Sequence, residues 1–477
     1  MRPIAEAMFE LHQIADSEPV QLLADAFSKA GYELALVGGP VRDAMLGRPV
    51  TDLDFTTNAL PDKTREIVAA VANKTWDVGR EYGTIAARVA GETVEITTYR
   101  AEIYRDDSRK PEVTFGDTIE DDLVRRDFTV NALAFMLPER RIVDVANGIT
   151  HLMEGVLDTP STPDQSFTDD PLRMLRAARF AAQLKFNLAD RVTAALAEYA
   201  HRLEIISAER IRDEFVKLIS CDQPIRGLRI LVAAGLMELF LPELPALQLA
   251  QDEHKRHKDV YEHSLTVLEQ AIALERVRFE AVDVPLRIAA LLHDIGKPAT
   301  RRFERGAVTF YNHDVVGAKL AKKRLKELRF DNDTVKQVAR LIELHMRFFG
   351  YSEGTWTDSA VRRYVRDAGE QLEQLHILTR ADVTTRNQKK ARRLAAAYDE
   401  IERRIAELAE AEELAAIRPD LDGEQIMQLL EIKPGRAVGA AYRYLLEIRL
   451  EEGELGEEEA TRRLLAWWNE PEQAKLR

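Results

Sequence analysis

Two aspartates one residue apart, Asp52 and Asp54, follow the glycine pair Gly38–Gly39 and the arginine Arg42 in the stretch LVGGPVRDAMLGRPVTDLDFTT. On an extended strand, residues i and i+2 point to one face, so an Asp-x-Asp pair presents both carboxylates together. Hard oxygen ligands in that arrangement suit Mg²⁺ and two-metal chemistry at phosphorus. A glycine turn that opens a helix brings backbone N–H groups close to a phosphate. Arg42, one turn into that helix, can reach the same anion. Either half alone also fits an ordinary strand–turn–helix with an acidic loop. Together, with the arginine between them, they point to a place where a nucleotide and a metal meet.

Three further sets of residues could do chemistry. Arg125, Arg126 and Asp127 stand together in RRDF, and Asp170, Arg173, Arg176 and Arg179 recur every third residue in DDPLRMLRAARFAAQLKF. On a helix such spacing makes a slowly drifting stripe, which reads equally as the basic face of an amphipathic helix. The third set is scattered: His263 in YEHSL, His293 and Asp294 in ALLHDIGK, His313 in NHD, His345 in ELHMR and Asp382 in TRADV. Imidazoles and carboxylates gathered in space bind divalent metals, and a bound metal lowers the pKa of water for attack on a phosphoester. A lone histidine of this kind is more often structural.

The elements that must position these groups change texture along the chain. Residues 1–30 have helical spacing of apolar positions; YELALVGG, TIAARVAGETVEITTYR, TVNALAFM and RIVDVAN alternate like strands. Beyond residue 165 the pattern is almost wholly helical, with a Pro-containing link at LPELPALQ. The 477 residues exceed one ordinary core. The reading is an α+β chain: a mixed α/β head with a small sheet over 1–150, a helical neck over 151–250, a metal-binding helical domain over 251–395 and a helical tail over 396–477. The single cysteine, Cys221, excludes an internal disulfide and a cysteine-based zinc site. No apolar run reaches the ~18 residues of a membrane span, no signal peptide pattern opens the chain, and the expected compartment is the cytoplasm. A net charge of −14 argues weakly against nucleic acid, yet basic residues cluster at 254–258, 321–329 and 386–393. Each cluster is equally well a solvated helix face.

Taken in order, these motifs resemble those of the class II nucleotidyltransferases, the bacterial tRNA CCA-adding enzymes and poly(A) polymerases. VGGPVRDAMLGRPVTDLDFTT is similar to the family signature. TTYRAEIYRDDSRKPEVTFGDTIEDDLVRRDFTVNALAF at 97–135 resembles its mobile loop and Arg-Arg-Asp-Phe motif, and DDPLRMLRAARFAAQLKF resembles its nucleotide-selecting motif. The His and Asp set with HDIGKP resembles the HD phosphohydrolase domain.

The resemblance implies roles. Asp52 and Asp54 would hold catalytic Mg²⁺, with Glu95 as a third carboxylate. Gly39, Arg42 and Arg126 would contact the incoming nucleotide, and Asp127 would help orient it. Asp170 and Arg173 would read the base edge, braced by Arg176 and Arg179. His263, His293, Asp294 and Asp382 would bind an unidentified divalent metal at the HD site, and His313 and His345 would complete a second. The implied substrates are the tRNA 3′ end, CTP and ATP; no membrane and no obligate protein partner is implied. Two departures stand out: Asp169 where the family often has Glu, and His151 where it usually has Asp. The nearest rival is a poly(A) polymerase, which shares head and neck motifs. Others are an HD phosphohydrolase with an RNA-binding N-terminal half, and a non-catalytic RNA-binding protein.

Overall fold

The computed structural model describes residues 4–78, 83–103, 112–248, 259–304, 307–348, 356–385, 387–412, 418–471 and 473. The basic run at 254–258, Arg386 of the run at 386–393 and residues 104–111 of the loop motif lie outside them. The chain divides into two compact units, Met1–Pro242 and Glu243–Arg477.

The first unit opens with two helices, Ile4–Ala15 and Glu18–Ala30, where periodicity alone predicted one. Ser17 is the N-cap of the second and Pro19 lies in its first turn, a position that proline tolerates at a helix start and not in an interior. Strands β1 (Leu34–Val37), β2 (Leu53–Thr57), β3 (Lys74–Asp77), β4 (Thr84–Val89), β5 (Glu92–Thr98), β6 (Arg100–Ile103), β7 (Glu112–Phe115), β8 (Leu133–Leu137) and β9 (Arg141–Asp144) follow. The main sheet runs β3-β4-β5-β2-β1-β8-β9, and β6 and β7 form a separate hairpin. Only the β2–β5 pair is parallel within that sheet, and its register sets Asp54 beside Glu95. One face buries Ala35, Val37, Tyr99, Leu123, Ala134 and Val143 in a common core.

The stripe expected over 170–179 is helical from Leu172 to Leu184 only. Asp170 stands before it in an extended conformation (φ −142°, ψ 98°), ending the helix Pro163–Asp169. Pro171 is the reason, because a residue preceding proline is pushed out of the helical region. Helix Leu172–Leu184 packs against Ala208–Ile219 and Ile225–Ala233.

In the second unit, helices Val260–Arg278, Val284–Leu292, His313–Glu327, Asn332–Leu344 and Leu372–Ala381 surround the histidine set. Later helices at Gly423–Leu430, Arg436–Glu452 and Glu457–Trp468 share a core of Ile426, Leu430, Leu445, Leu464 and Trp468. The junctions expected at 150/151 and 395/396 fall inside helices Gly148–Glu154 and Gln388–Glu412, where no breaker interrupts the chain. No described helix is long and apolar enough to cross a membrane.

Gly227 marks the closest approach among the helices around Leu172–Leu184. A Cβ there would lie 2.5 Å from Leu218 Cδ1 and 2.6 Å from the Ala178 carbonyl oxygen. A backbone atom cannot swing aside as a side chain does, so Gly227→Ala is expected to destabilise the first unit by ~1–3 kcal/mol, read from urea unfolding.

Candidate functional sites

Gly38 closes β1 and caps helix Gly39–Leu46. Its φ is +75°, and its N–H is bonded to the Leu133 carbonyl at 3.1 Å. A Cβ here would come within 3.2 Å of Arg126 Nη1. The turn therefore needs glycine for conformation and for room. Arg42, buried, donates Nη1 to Asn131 Oδ1 at 2.7 Å and Nε and Nη2 to Asp43.

Asp54 lies on β2 and Asp52 just before it. The Asp54 carboxyl is pushed up to about 6 by burial and by Glu95 across the register; Arg126 opposes the shift and Asp52 adds to it. Three carboxylates thus share a corner with one nearby guanidinium. A divalent cation is the species whose charge and oxygen preference such a corner fits.

Arg126 is held through Nη2 and Nε by Asp122 Oδ2, at 3.0 and 3.3 Å. Asp127 is buried and accepts from the Phe128 N–H, from Asn131 Nδ2 at 3.0 Å, and from Arg176 Nε and Nη2 at 2.8 and 2.5 Å. Burial alone would raise its carboxyl, but Arg176, Asn131 and Arg173 outweigh that and hold it well below the usual carboxylate range. Arg173 donates to Ser166 Oγ at 2.9 Å and to the Arg125 carbonyl at 2.6 Å, while Asp170 accepts from Arg210 at 3.1 and 3.3 Å. Phe180 lies among three guanidinium groups, with Arg179 at 4.0 Å, Arg42 at 5.2 Å and Arg176 at 5.6 Å from the ring centre.

The fold gathers Gly38, Gly39, Arg42, Arg126, Asp127 and Arg176 through direct contacts. Arg179 turns elsewhere: it donates to Glu214 at 2.7 Å and Gln183 at 3.0 Å. It also lines a cleft of about 670 Å³ with Arg48, Lys185 and Lys217. His151, the departure from pattern, bonds Thr129 Oγ1 through Nδ1 at 2.8 Å.

Residue typing missed four partners: Asn131, Asp122, Arg210 and Glu214. Asp122 had a local signal, since it stands four residues before Arg126 on a helical stretch. Arg210 and Glu214 had none, because they meet Asp170 and Arg179 only in the tertiary fold.

The histidine set converges in the second unit. His293 and Asp294 lie just past the end of Val284–Leu292 rather than within a helix; His345 and Asp382 follow the ends of Asn332–Leu344 and Leu372–Ala381. Helix C-termini carry partial negative charge and favour a cation. Two groups could each hold an ion: His263, His293 and Asp382, and Asp294, His313 and His345. Asp294 also borders the first group, with Oδ2 3.3 Å from His293 Nε2 and 3.5 Å from His263 Nε2, and Oδ1 3.3 Å from His313 Nε2.

The groups behind the rings fit a metal centre. Each Nδ1 meets an oxygen: Thr384 Oγ1 for His263, and the Ala290, Phe310 and Ile342 carbonyls for His293, His313 and His345. A carbonyl accepts only, so His293, His313 and His345 carry hydrogen on Nδ1 and turn Nε2 inward. His345 Nε2 is buried with no hydrogen-bond partner among the described residues. Burial, then the neighbouring His293 charge, lowers His345 to about 4, which keeps it a neutral donor. At His293 burial works downward, but Asp294 and Asp382 outweigh it and push the ring up to about 10. The cluster stabilises positive charge at its centre, and the donor set fits a divalent metal.

Three segments of the chain match known protein families. Residues 34–158 match the poly A polymerase head domain, 185–247 the probable RNA- and SrmB-binding site of polymerase A, and 260–387 the HD domain. The A-adding tRNA nucleotidyltransferase of Deinococcus radiodurans is 34% identical, with 91% of this chain and 95% of that protein covered. A CCA-adding enzyme of Streptococcus suis is 31% identical over 92% and 93%. The crystal structure of the Bacillus stearothermophilus CCA-adding enzyme in complex with CTP shares the fold, with a TM-score of 0.67, 23% identity and 98% of each chain covered.

The Asp127 pair makes a checkable demand. Its folded-state pKa is depressed, so its stabilisation is complete above the unfolded value of ~3.9 and is lost as pH falls through the folded one. Asp127→Asn is expected to cost about 3 kcal/mol at pH 7, the low end for a broken buried pair, because Arg176 is 34% exposed. In urea unfolding, the gap to the parent should narrow in strong acid.

Proposed function

The chain belongs to the tRNA nucleotidyltransferase and poly(A) polymerase family, and on that premise we propose that it adds CCA to the 3′ end of tRNA from CTP and ATP without a template strand. The observation that carries this reading is the corner of Asp52, Asp54 and Glu95 beside Arg126, together with the chain of contacts from Arg42 through Asn131 and Asp127 to Arg176 of helix Leu172–Leu184. The relatives named for tRNA 3′-end addition, matched over nine-tenths of the chain, favour this over poly(A) synthesis.

In the proposed reaction the RNA 3′-hydroxyl oxygen bonds to the α-phosphorus of the incoming nucleotide. The bond from that phosphorus to the β-phosphate oxygen breaks, pyrophosphate leaves and the hydroxyl proton passes to solvent. Asp52 and Asp54, with Glu95 beside them, would hold Mg²⁺, which when bound supplies charge that activates the hydroxyl and neutralises the leaving group. Gly39, Arg42 and Arg126 would grip the nucleotide. Asp170 would accept from the exocyclic amine and Arg173 would donate to the adjacent ring acceptor. C and A share that pattern, whereas U lacks the amine. Arg210 and Ser166 would hold this reading pair in orientation, and Arg176 would brace it through Asp127. Arg48, Lys185 and Lys217 give the cleft beside Arg179 a charge suited to RNA phosphates.

For the second unit we propose a metal-dependent phosphohydrolase acting on nucleotide 2′- or 2′,3′-cyclic phosphates. His263, His293, Asp294 and Asp382 would hold one divalent ion, with Asp294, His313 and His345 offering a second position. We also propose the four-part division into head, neck, HD domain and tail, and a cytoplasmic location.

The test gives purified protein, Mg²⁺ and a tRNA lacking its 3′ end CTP and ATP, singly and together. Addition of C, C and one A, then a stop, is expected. A single A added only to a tRNA already ending in CC would move the chain to the A-adding specificity, and a long tail from ATP alone would make it a poly(A) polymerase. Asp52→Ala should abolish addition and spare hydrolysis of a 2′,3′-cyclic nucleotide; Asp294→Ala should do the reverse. Unimpaired addition by Asp52→Ala would refute the metal assignment.

A further inference from the structure

We infer that Asp122 is a positioning residue of the nucleotide site, fixing the Arg126 guanidinium beside the Gly38 turn while tying strand β2 to the base of the β6–β7 hairpin. The inference rests on the proposed contact between Arg126 and the nucleotide.

Asp122 lies on the short helix Ile119–Val124 and is 1% exposed. Its Oδ2 takes Arg126 Nη2 at 3.0 Å and Nε at 3.3 Å, and the Thr56 hydroxyl at 3.4 Å. Its Oδ1 takes the Arg100 backbone N–H at 3.3 Å and lies 3.5 Å from Arg125 Nε. Thr56 is two residues beyond Asp54 on β2, and Arg100 is the first residue of β6. One buried carboxylate therefore touches the metal strand, the hairpin and both arginines of the RRDF motif.

The geometry splits the Arg126 guanidinium into two halves. Nε and Nη2 face Asp122, while Nη1 lies 3.2 Å from the position a Gly38 Cβ would take. The half left over thus faces the phosphate turn. A free arginine loses rotamer entropy when it grips a ligand. A carboxylate that already holds two of its nitrogens removes most of that cost before the nucleotide arrives. A purely structural ion pair would stabilise the fold without being tied to nucleotide affinity through Arg126.

The test uses the full chain with tRNA primer and Mg²⁺, measuring KM for CTP, ATP and tRNA in Asp122→Asn, Arg126→Ala and the double variant. Charged hydrogen bonds of ~1.5–3 kcal/mol predict that Asp122→Asn raises nucleotide KM about tenfold or more. tRNA KM should stay unchanged, and the double variant should be no worse than Arg126→Ala alone. Asp122→Glu, which keeps the charge, should recover part of the loss. Should Asp122→Asn fold poorly, the glutamate variant with CTP binding measured calorimetrically carries the test. Unchanged nucleotide KM in Asp122→Asn, or penalties that simply add, would overturn the inference. Normal nucleotide KM in Arg126→Ala would overturn it too, yet leave the polymerase reading standing on Asp52→Ala.

Discussion

A buried carboxylate must be paired or leave the interior, and Asp127 organises the first unit by obeying that constraint. It cannot reach water, so it takes the Phe128 N–H, the Asn131 amide and two nitrogens of Arg176. Asn131 in turn takes Arg42 from the helix that starts at the glycine turn. A continuous chain of charged and polar contacts therefore runs from that helix, through the turn before β8, to helix Leu172–Leu184. The sheet and that helix are held in one arrangement by groups whose desolvation leaves them few other choices.

In the same unit lies a set of like charges. The parallel register of β2 and β5 brings Asp54 beside Glu95, and backbone pairing keeps them together despite their repulsion. Burial and like charge push Asp54 up to about 6. Such a corner works against stability, and it is the sort of conflict folds retain where a cation or a reaction uses it.

The second unit applies the same physics with softer ligands. Carbonyl oxygens fix three of its imidazoles and a hydroxyl the fourth, and Nε2 of His263 and of His293 lies within 3.5 Å of both Asp294 and Asp382. In both units the polypeptide holds electron pairs closer together than they would stay by themselves. Hydrogen bonds behind the site bear the cost, and each site sits in its own compact unit.

Local patterns in the chain were enough to reveal the strands that alternate, the glycine turn, the Asp-x-Asp face and the His-Asp set, because each depends on periodicity or on near neighbours. They also placed the link near 241–248, close to where the two units divide. They failed where neighbours in space override neighbours in sequence. Asp170 was assigned to the helical stripe, but Pro171 sets it apart and Arg210 holds it from another helix. Arg179 follows the stripe in spacing, yet Glu214 turns it toward a different cleft. Residue types and short spacings specified which chemistry the chain carries. Which carboxylate meets which cation, and so which charges are quenched and which are left to bind something else, was decided by packing among residues up to 124 positions apart, where desolvation, not sequence proximity, selects the partner.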